Sequence, residues 1–137
     1  MYAIDSVTRS PVNFVVSEDQ LFVKGFPGDR WQYAPPTGGI TSSTAPVTLK
    51  AAVAGKRNYI ASAQFSATAG TGDHEIIVKS GATVIHRGAV DLGASADRGG
   101  SFVFPTGLAG GVGEALTVEM SVSDPGNVFI NAQGFTY

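Results

Sequence analysis

Ala115-Leu116-Thr117-Val118-Glu119-Met120-Ser121-Val122-Ser123 is the stretch that decides the fold. Leu116, Val118, Met120 and Val122 fall on one side of an extended chain, and Thr117, Glu119, Ser121 and Ser123 on the other. A period of two marks a half-buried antiparallel strand. Tyr59 to Thr68 repeats it, with Tyr59, Ala61, Ala63 and Phe65 on one face and Ser62, Gln64, Ser66 and Thr68 on the other. His74 to Lys79 and Ala82 to Arg87 flank Ser80-Gly81 and predict a β-hairpin. Ser101 to Pro105 predicts a short strand that Pro105 ends or confines to an edge. Val128 to Thr136 closes the chain as a strand after the turn Asp124-Pro125-Gly126-Asn127. The one run of good helix formers, Leu49 to Ala54, is short and stopped by Gly55, so Val47 to Val53 is read as the first strand of the set.

Strands at this density predict an all-β chain. The expected architecture is a β-sandwich or jelly roll of about seven to eight antiparallel strands, with an N-terminal extended arm. The sandwich is assigned to residues 46–137. Residues 1–45 are assigned to the arm, with a short hairpin from Val12–Val16 and Leu21–Val23, then a connector. The connector, Lys24 to Pro46, holds four prolines and four glycines around Trp31 and Tyr33, and is expected to be irregular.

Composition narrows function by exclusion. The 137 residues include 18 Gly, 7 Pro and no Cys, and 15% are charged, with a net charge of −2. Lack of cysteine removes thiol nucleophiles, disulfide scaffolds and cysteine-based zinc sites. The slight negative charge gives no general attraction to nucleic acid or anionic membrane, and neither is expected as a partner. No apolar run approaches the ~18 residues of a membrane helix. The N-terminus lacks the basic and apolar regions of a signal peptide.

No motif supplies chemistry. His74 and His86 would face each other near the open end of a symmetric hairpin, with Asp73 or Glu75 nearby as a further metal ligand, but with no other cluster at ligand spacing they are read as two polar residues on a solvent face. There is no G-x-S-x-G elbow and no paired carboxylates. Gly107 to Gly113 lacks the Lys-Ser/Thr and the following helix of a phosphate loop, and is read as a wide connection between strands. Lys56-Arg57 is the one adjacent basic pair and reads as a solvated turn. No cofactor, no metal and no enzymatic activity are expected.

Two groups of residues point to protein contacts. Phe26, Trp31 and Tyr33 in the connector need cover, from this chain or another. Phe129 and Phe135 alternate with Val128, Ile130 and Ala132, and Ile77 and Ile85 alternate with Ile76, Val78 and Val84. A sheet apolar on both faces is covered on both. Ile77, Ile85, Phe129 and Phe135 are therefore the expected subunit interface, and Phe26, Trp31 and Tyr33 the expected contact with a partner or neighbouring subunit.

Much of residues 31–136 resembles small virion proteins of tailed bacteriophages. The resemblance is carried by Trp31-Gln32-Tyr33-Ala34, by Thr48 to Ile60 (TLKAAVAGKRNYI), by Ile77 to Gly88 (IVKSGATVIHRG), by Phe104 to Gly110 (FPTGLAG) and by Val128 to Phe135 (VFINAQGF). His86 departs from the pattern, which has tryptophan there. The resemblance implies a β-sandwich capsid decoration, or cement, protein. Such a protein would be made in the host cytoplasm and sit on the capsid surface, bound to the major capsid protein as a homotrimer. The alternative is a tail- or head-fibre tip that binds host surface glycan. That alternative requires an exposed ring such as Tyr59, Tyr137 or Trp31 beside polar side chains. The decoration reading requires Trp31 buried at a protein contact. An enzyme would require His74 or His86 in a cleft beside a carboxylate.

Overall fold

The computed structural model describes residues 28–41, 44–68, 70, 72–91, 99–123 and 126–137. The expected hairpin at Val12–Val16 and Leu21–Val23 lies outside them, as does Phe26.

The described chain is all-β, with nine strands: β1 (Asp29–Tyr33), β2 (Ile40–Thr41), β3 (Val47–Lys50), β4 (Arg57–Ala67), β5 (Asp73–Ser80), β6 (Thr83–Asp91), β7 (Gly99–Val112), β8 (Leu116–Met120) and β9 (Asn127–Thr136). They form two antiparallel sheets packed as a β-sandwich. One sheet has five strands in the order β1-β9-β4-β7, with β2 also paired to β9, and the other has four in the order β3-β8-β5-β6. From β3 onward the chain passes repeatedly from sheet to sheet, and the core forms between them. Ile60, Ala63 and Phe65 of β4 and Val128, Ile130 and Ala132 of β9 meet Leu49, Ile76, Val78, Val90, Leu116, Val118 and Met120 of the other sheet. The period-two patterns put most of these on one face, but in β4 they give Tyr59 and Ala61 where the structure buries Ile60, because the extra residue at Ala61 reverses the alternation before it. Among the described residues no helix is long and apolar enough to cross a membrane.

Besides the reversal in β4, the structure departs from the sequence reading in four places. Asp29–Tyr33, expected to be irregular connector, is a strand paired along its whole length with β9, from Asp29↔Thr136 to Tyr33↔Ala132. The prolines at 27, 35 and 36 bracket this run without entering it, so each of its residues keeps a backbone donor. The sheet thus takes in residues that a division at residue 46 assigns to the arm. The second departure is at the helix-forming run, where β3 stops at Lys50 and Ala51–Val53 leave the sheet. Third, β7 does not stop at Pro105. Its ladder with β4 breaks between Val103↔Ser62 and Leu108↔Ile60, which leaves Phe104 to Gly107 opposite Ala61 alone. The proline sits in this bulge on an edge strand, where its missing N–H breaks no ladder bond.

Fourth, Gly107 to Gly113 is mostly strand, ending in a turn at Gly113. Its glycines have packing reasons. Gly107 has φ +81°, and a Cβ there would lie 2.9 Å from the Phe135 ring. A Cβ on Gly110 would lie 2.8 Å from Ser80 Oγ, and one on Gly111 2.7 Å from the Glu114 carboxyl. β7 is glycine-rich because it passes close over the end of the neighbouring sheet.

Candidate functional site

The two histidines do not form a site. In the β5–β6 hairpin the register pairs His74 with Val90 and His86 with Val78, so they lie four ladder positions apart rather than across from each other. The hairpin turns at Gly81-Ala82 rather than Ser80-Gly81, with Ser80 paired to Thr83, and a bulge at Ile85 adds one more residue to β6 between Val84↔Lys79 and His86↔Val78. His74 is buried, at 5% exposure. His86 meets Phe102 and Phe104 edge-on, with ring centroids 4.4 and 5.2 Å away. Its ring thus makes the edge-on contacts of an aromatic side chain. Its Nε2 is buried and has no hydrogen-bond partner among the described residues.

A second polar cluster pins one end of the sandwich. Thr136 donates its hydroxyl hydrogen to Asn58 Oδ1 at 2.6 Å, and Asn58 Nδ2 donates to the carbonyls of Ala51 and Glu114. Ser80 donates to Glu114 Oε1 at 2.9 Å and accepts from the Gly111 N–H at 2.7 Å. Asn58 and Ser80 are each 1% exposed. Every one of these bonds joins different parts of the chain, so the cluster is a structural tie between the sheets.

The expected contact residues are largely covered by the chain itself. Trp31 and Tyr33 are half-buried and pack against the core cluster. Ile85 turns the same way, because Val84 pairs with Lys79 on the outer face and the next residue alternates inward. Ile77 stays on the outer face but is 8% exposed, flanked in register by Arg87 and Glu119, whose stems cover it. Phe135 is 2% exposed and stacks on Tyr59 at 4.6 Å with 8° between the planes. Phe129 is half-buried against the turn at Gly39, where a Cβ would lie 3.2 Å from its ring. Outer-face apolar residues at these positions therefore need little cover from a second molecule. The large hydrophobic side chains left exposed include Val103 at 69% and Val112 at 55%, both on β7.

The outer faces of the two sheets differ in chemistry. On the four-stranded sheet Lys79 pairs with Glu119 and Arg87 with Glu75, each at 2.6 Å. The five-stranded sheet carries amides and hydroxyls instead. Gln32, Gln133 and Ser62 stand abreast on β1, β9 and β4, and Asn131 pairs in register with Gln64 beside them. Gln133 Nε2 donates to Ser62 Oγ at 3.0 Å. Two adjoining depressions open on this face. One, of about 250 Å³, is lined by Arg30, Trp31, Gln32, Ala61, Gln133 and Gly134. The other, of about 290 Å³, is lined by Gln32, Tyr33, Ser62, Gln64, Asn131 and Gln133 among others. Ala61 is the extra residue of a bulge in β4, between Ile60↔Gly134 and Ser62↔Gln133.

The sequence reading did not single out this row. Its signal was present in the polar halves of β4 and β9, which hold Ser62, Gln64, Asn131 and Gln133 with no Lys, Arg, Asp or Glu between them. Comparison of the chain with protein-family models, with curated proteins and with solved structures gives no match.

Proposed function

We propose that the chain is a non-enzymatic structural protein of a tailed-bacteriophage virion, a capsid decoration protein that self-associates as a homotrimer and binds the major capsid protein. The observation that carries this reading is the free edge of the five-stranded sheet. β7 is fourteen residues long and pairs on one side with β4. Its other side has no strand among the described residues, and it exposes Val103 and Val112. A long edge strand with bare apolar side chains is a liability in a free monomer, and soluble chains blunt such edges with charge, proline or bulges; β7 has Pro105 and its bulge at mid-strand only. β7 carries no charged side chain, so a neighbouring copy is the natural cover. The resemblance of residues 31–136 to virion proteins supports the same setting, as does the low charge of the whole chain.

This reading moves the self-contact from Ile77, Ile85, Phe129 and Phe135 to β7. It also confines the capsid-binding arm to the residues before Gly28, because Trp31 and Tyr33 are committed to the sandwich. The experiment is co-sedimentation with expanded capsids. The full chain should pellet with capsids, and a chain starting at Gly28 should remain a trimer but stay in the supernatant. Equal pelleting of both would remove the arm from the mechanism, and failure of the full chain to pellet would overturn the decoration reading.

A further inference from the structure

We propose that the outer face of the five-stranded sheet is a binding site for a neutral saccharide, centred on Gln32, Gln133, Ser62, Gln64 and Asn131. The inference takes up the glycan ligand of the alternative reading without its exposed ring, since Trp31 is half-buried and packed on the core, and rests on the polar chemistry and shape of this one face.

Solvent-facing surfaces are normally rich in charged residues of both signs, about a quarter to a third of positions. The four-stranded sheet follows that pattern with its Lys79–Glu119 and Arg87–Glu75 pairs. The amide row does not: Gln32, Gln64, Asn131 and Gln133 are exposed, Ser62 is half-buried, and of the residues lining the two depressions Arg30 alone is charged. Each amide offers two donors and an acceptor with two lone pairs, and a serine hydroxyl both donates and accepts. A ligand that matches such a row carries groups that donate and accept at once and bears no net charge. Sugar hydroxyls have that chemistry.

Spacing fits as well. Neighbouring strands lie about 4.8 Å apart, and alternate residues of one strand ~7 Å apart, so the row forms a grid with the dimensions of a pyranose ring. The bulge at Ala61 bends β4 beside the row, and the two depressions meet at Gln32 and Gln133, which line both. A trough suits an elongated oligosaccharide better than the flat, aromatic-rich core of a protein contact. An anionic ligand would need a cluster of basic groups, and one arginine at the border does not supply it.

The test uses the full-length, isotope-labelled chain with maltotriose, cellotriose, mannotriose and triacetylchitotriose as neutral probes and sialyllactose as an anionic one. Titration followed by amide correlation spectra should show at least one neutral probe shifting the side-chain resonances of Gln32, Gln64, Asn131 and Gln133. Gln133→Ala and Gln32→Ala should each weaken that binding about tenfold, the loss of one or two good hydrogen bonds, with unchanged unfolding midpoint and unchanged mass by light scattering. Lys79→Ala, on the opposite outer face, should bind as the parent does. The proposal is overturned if no neutral probe shifts these resonances, or if sialyllactose binds more tightly than every neutral probe. It is equally overturned if Gln133→Ala binds normally, or if the glutamine variants lower the mass, which would make the row a contact between copies.

Discussion

Ser80 shows how one small side chain can govern the composition of a strand some thirty residues away. Its hydroxyl donates to Glu114 and accepts from the Gly111 N–H, which requires β7 to pass within hydrogen-bonding distance of the end of β5. No side chain fits in that gap, so positions 110 and 111 are glycine. Gly110→Ala would press its methyl against Ser80 Oγ, 2.8 Å from the ideal Cβ, and the Asn58 carbonyl, 3.1 Å away. Overpacking of this kind costs about 1–3 kcal/mol. The expected outcome is a lower midpoint in urea with an unchanged slope, which separates a stability change from a change in the unfolded state. His86 offers the opposite case. Its ring is held by Phe102 and Phe104, yet its Nε2 is buried without a partner among the described residues. A buried unsatisfied polar atom costs about 1–3 kcal/mol. His86→Phe keeps the edge-on contacts and removes the polar atom, so it should raise the thermal midpoint, whereas His86→Ala should lower it by emptying the space.

At the scale of elements, β1 is the first strand among the described residues and the outermost on the β9 side of its sheet. A chain starting at Gly28 retains the full β1–β9 ladder and should show the parent's circular dichroism and a thermal midpoint within a few degrees of it. A chain starting at Pro36 loses five paired residues and uncovers the core beneath Trp31 and Tyr33, a loss of several kcal/mol. Its midpoint should fall by roughly 10 °C or more, since 1 kcal/mol corresponds to ~2–8 °C in domains of this size. Equal midpoints for the two chains would mean that β1 adds nothing to stability. The same strand illustrates what the sequence made legible. The alternation in β4, β8 and β9 was readable because one face of each is apolar and the other polar, and it named most of the core; it missed Ile60, which the bulge at Ala61 turns inward in place of Tyr59, and counted Val122, which lies exposed beyond the end of β8. β1 was not readable: five residues between prolines, Asp29-Arg30-Trp31-Gln32-Tyr33, hold no aliphatic alternation and pair only because β9 offers them a free edge. The continuation of β7 past Pro105 was hidden likewise, because a bulge opposite Ala61 depends on the partner strand. The amide row lies across three strands, and its members become neighbours only through the register of β1, β9 and β4.

For the whole molecule the question is how the copies meet, and the distribution of charge constrains the answer. Charges at the β7 edge are absent, so association through β7 would be apolar and made by backbone pairing. Such a contact should be insensitive to salt: at ~1 M ionic strength the screening length falls to about 3 Å, which removes surface ion-pair attraction but leaves apolar burial intact. Light scattering of the full chain should therefore give a mass near three chains in both low and high salt. A mass that falls on adding salt would point instead to the charged outer face of Lys79, Glu119, Arg87 and Glu75. The double variant Val103→Lys, Val112→Lys places two like charges on the proposed contact. Both valines are more than half exposed in the single chain, so folding should be nearly unaffected, within about 0.5 kcal/mol each as for ordinary surface substitutions. Self-association should be lost, because like charges brought together at an interface are repelled and each lysine must also be desolvated. A variant that remains trimeric with an unchanged midpoint would exclude the β7 edge as the contact, and would leave the uncharged face of the five-stranded sheet as the surface on which copies could meet.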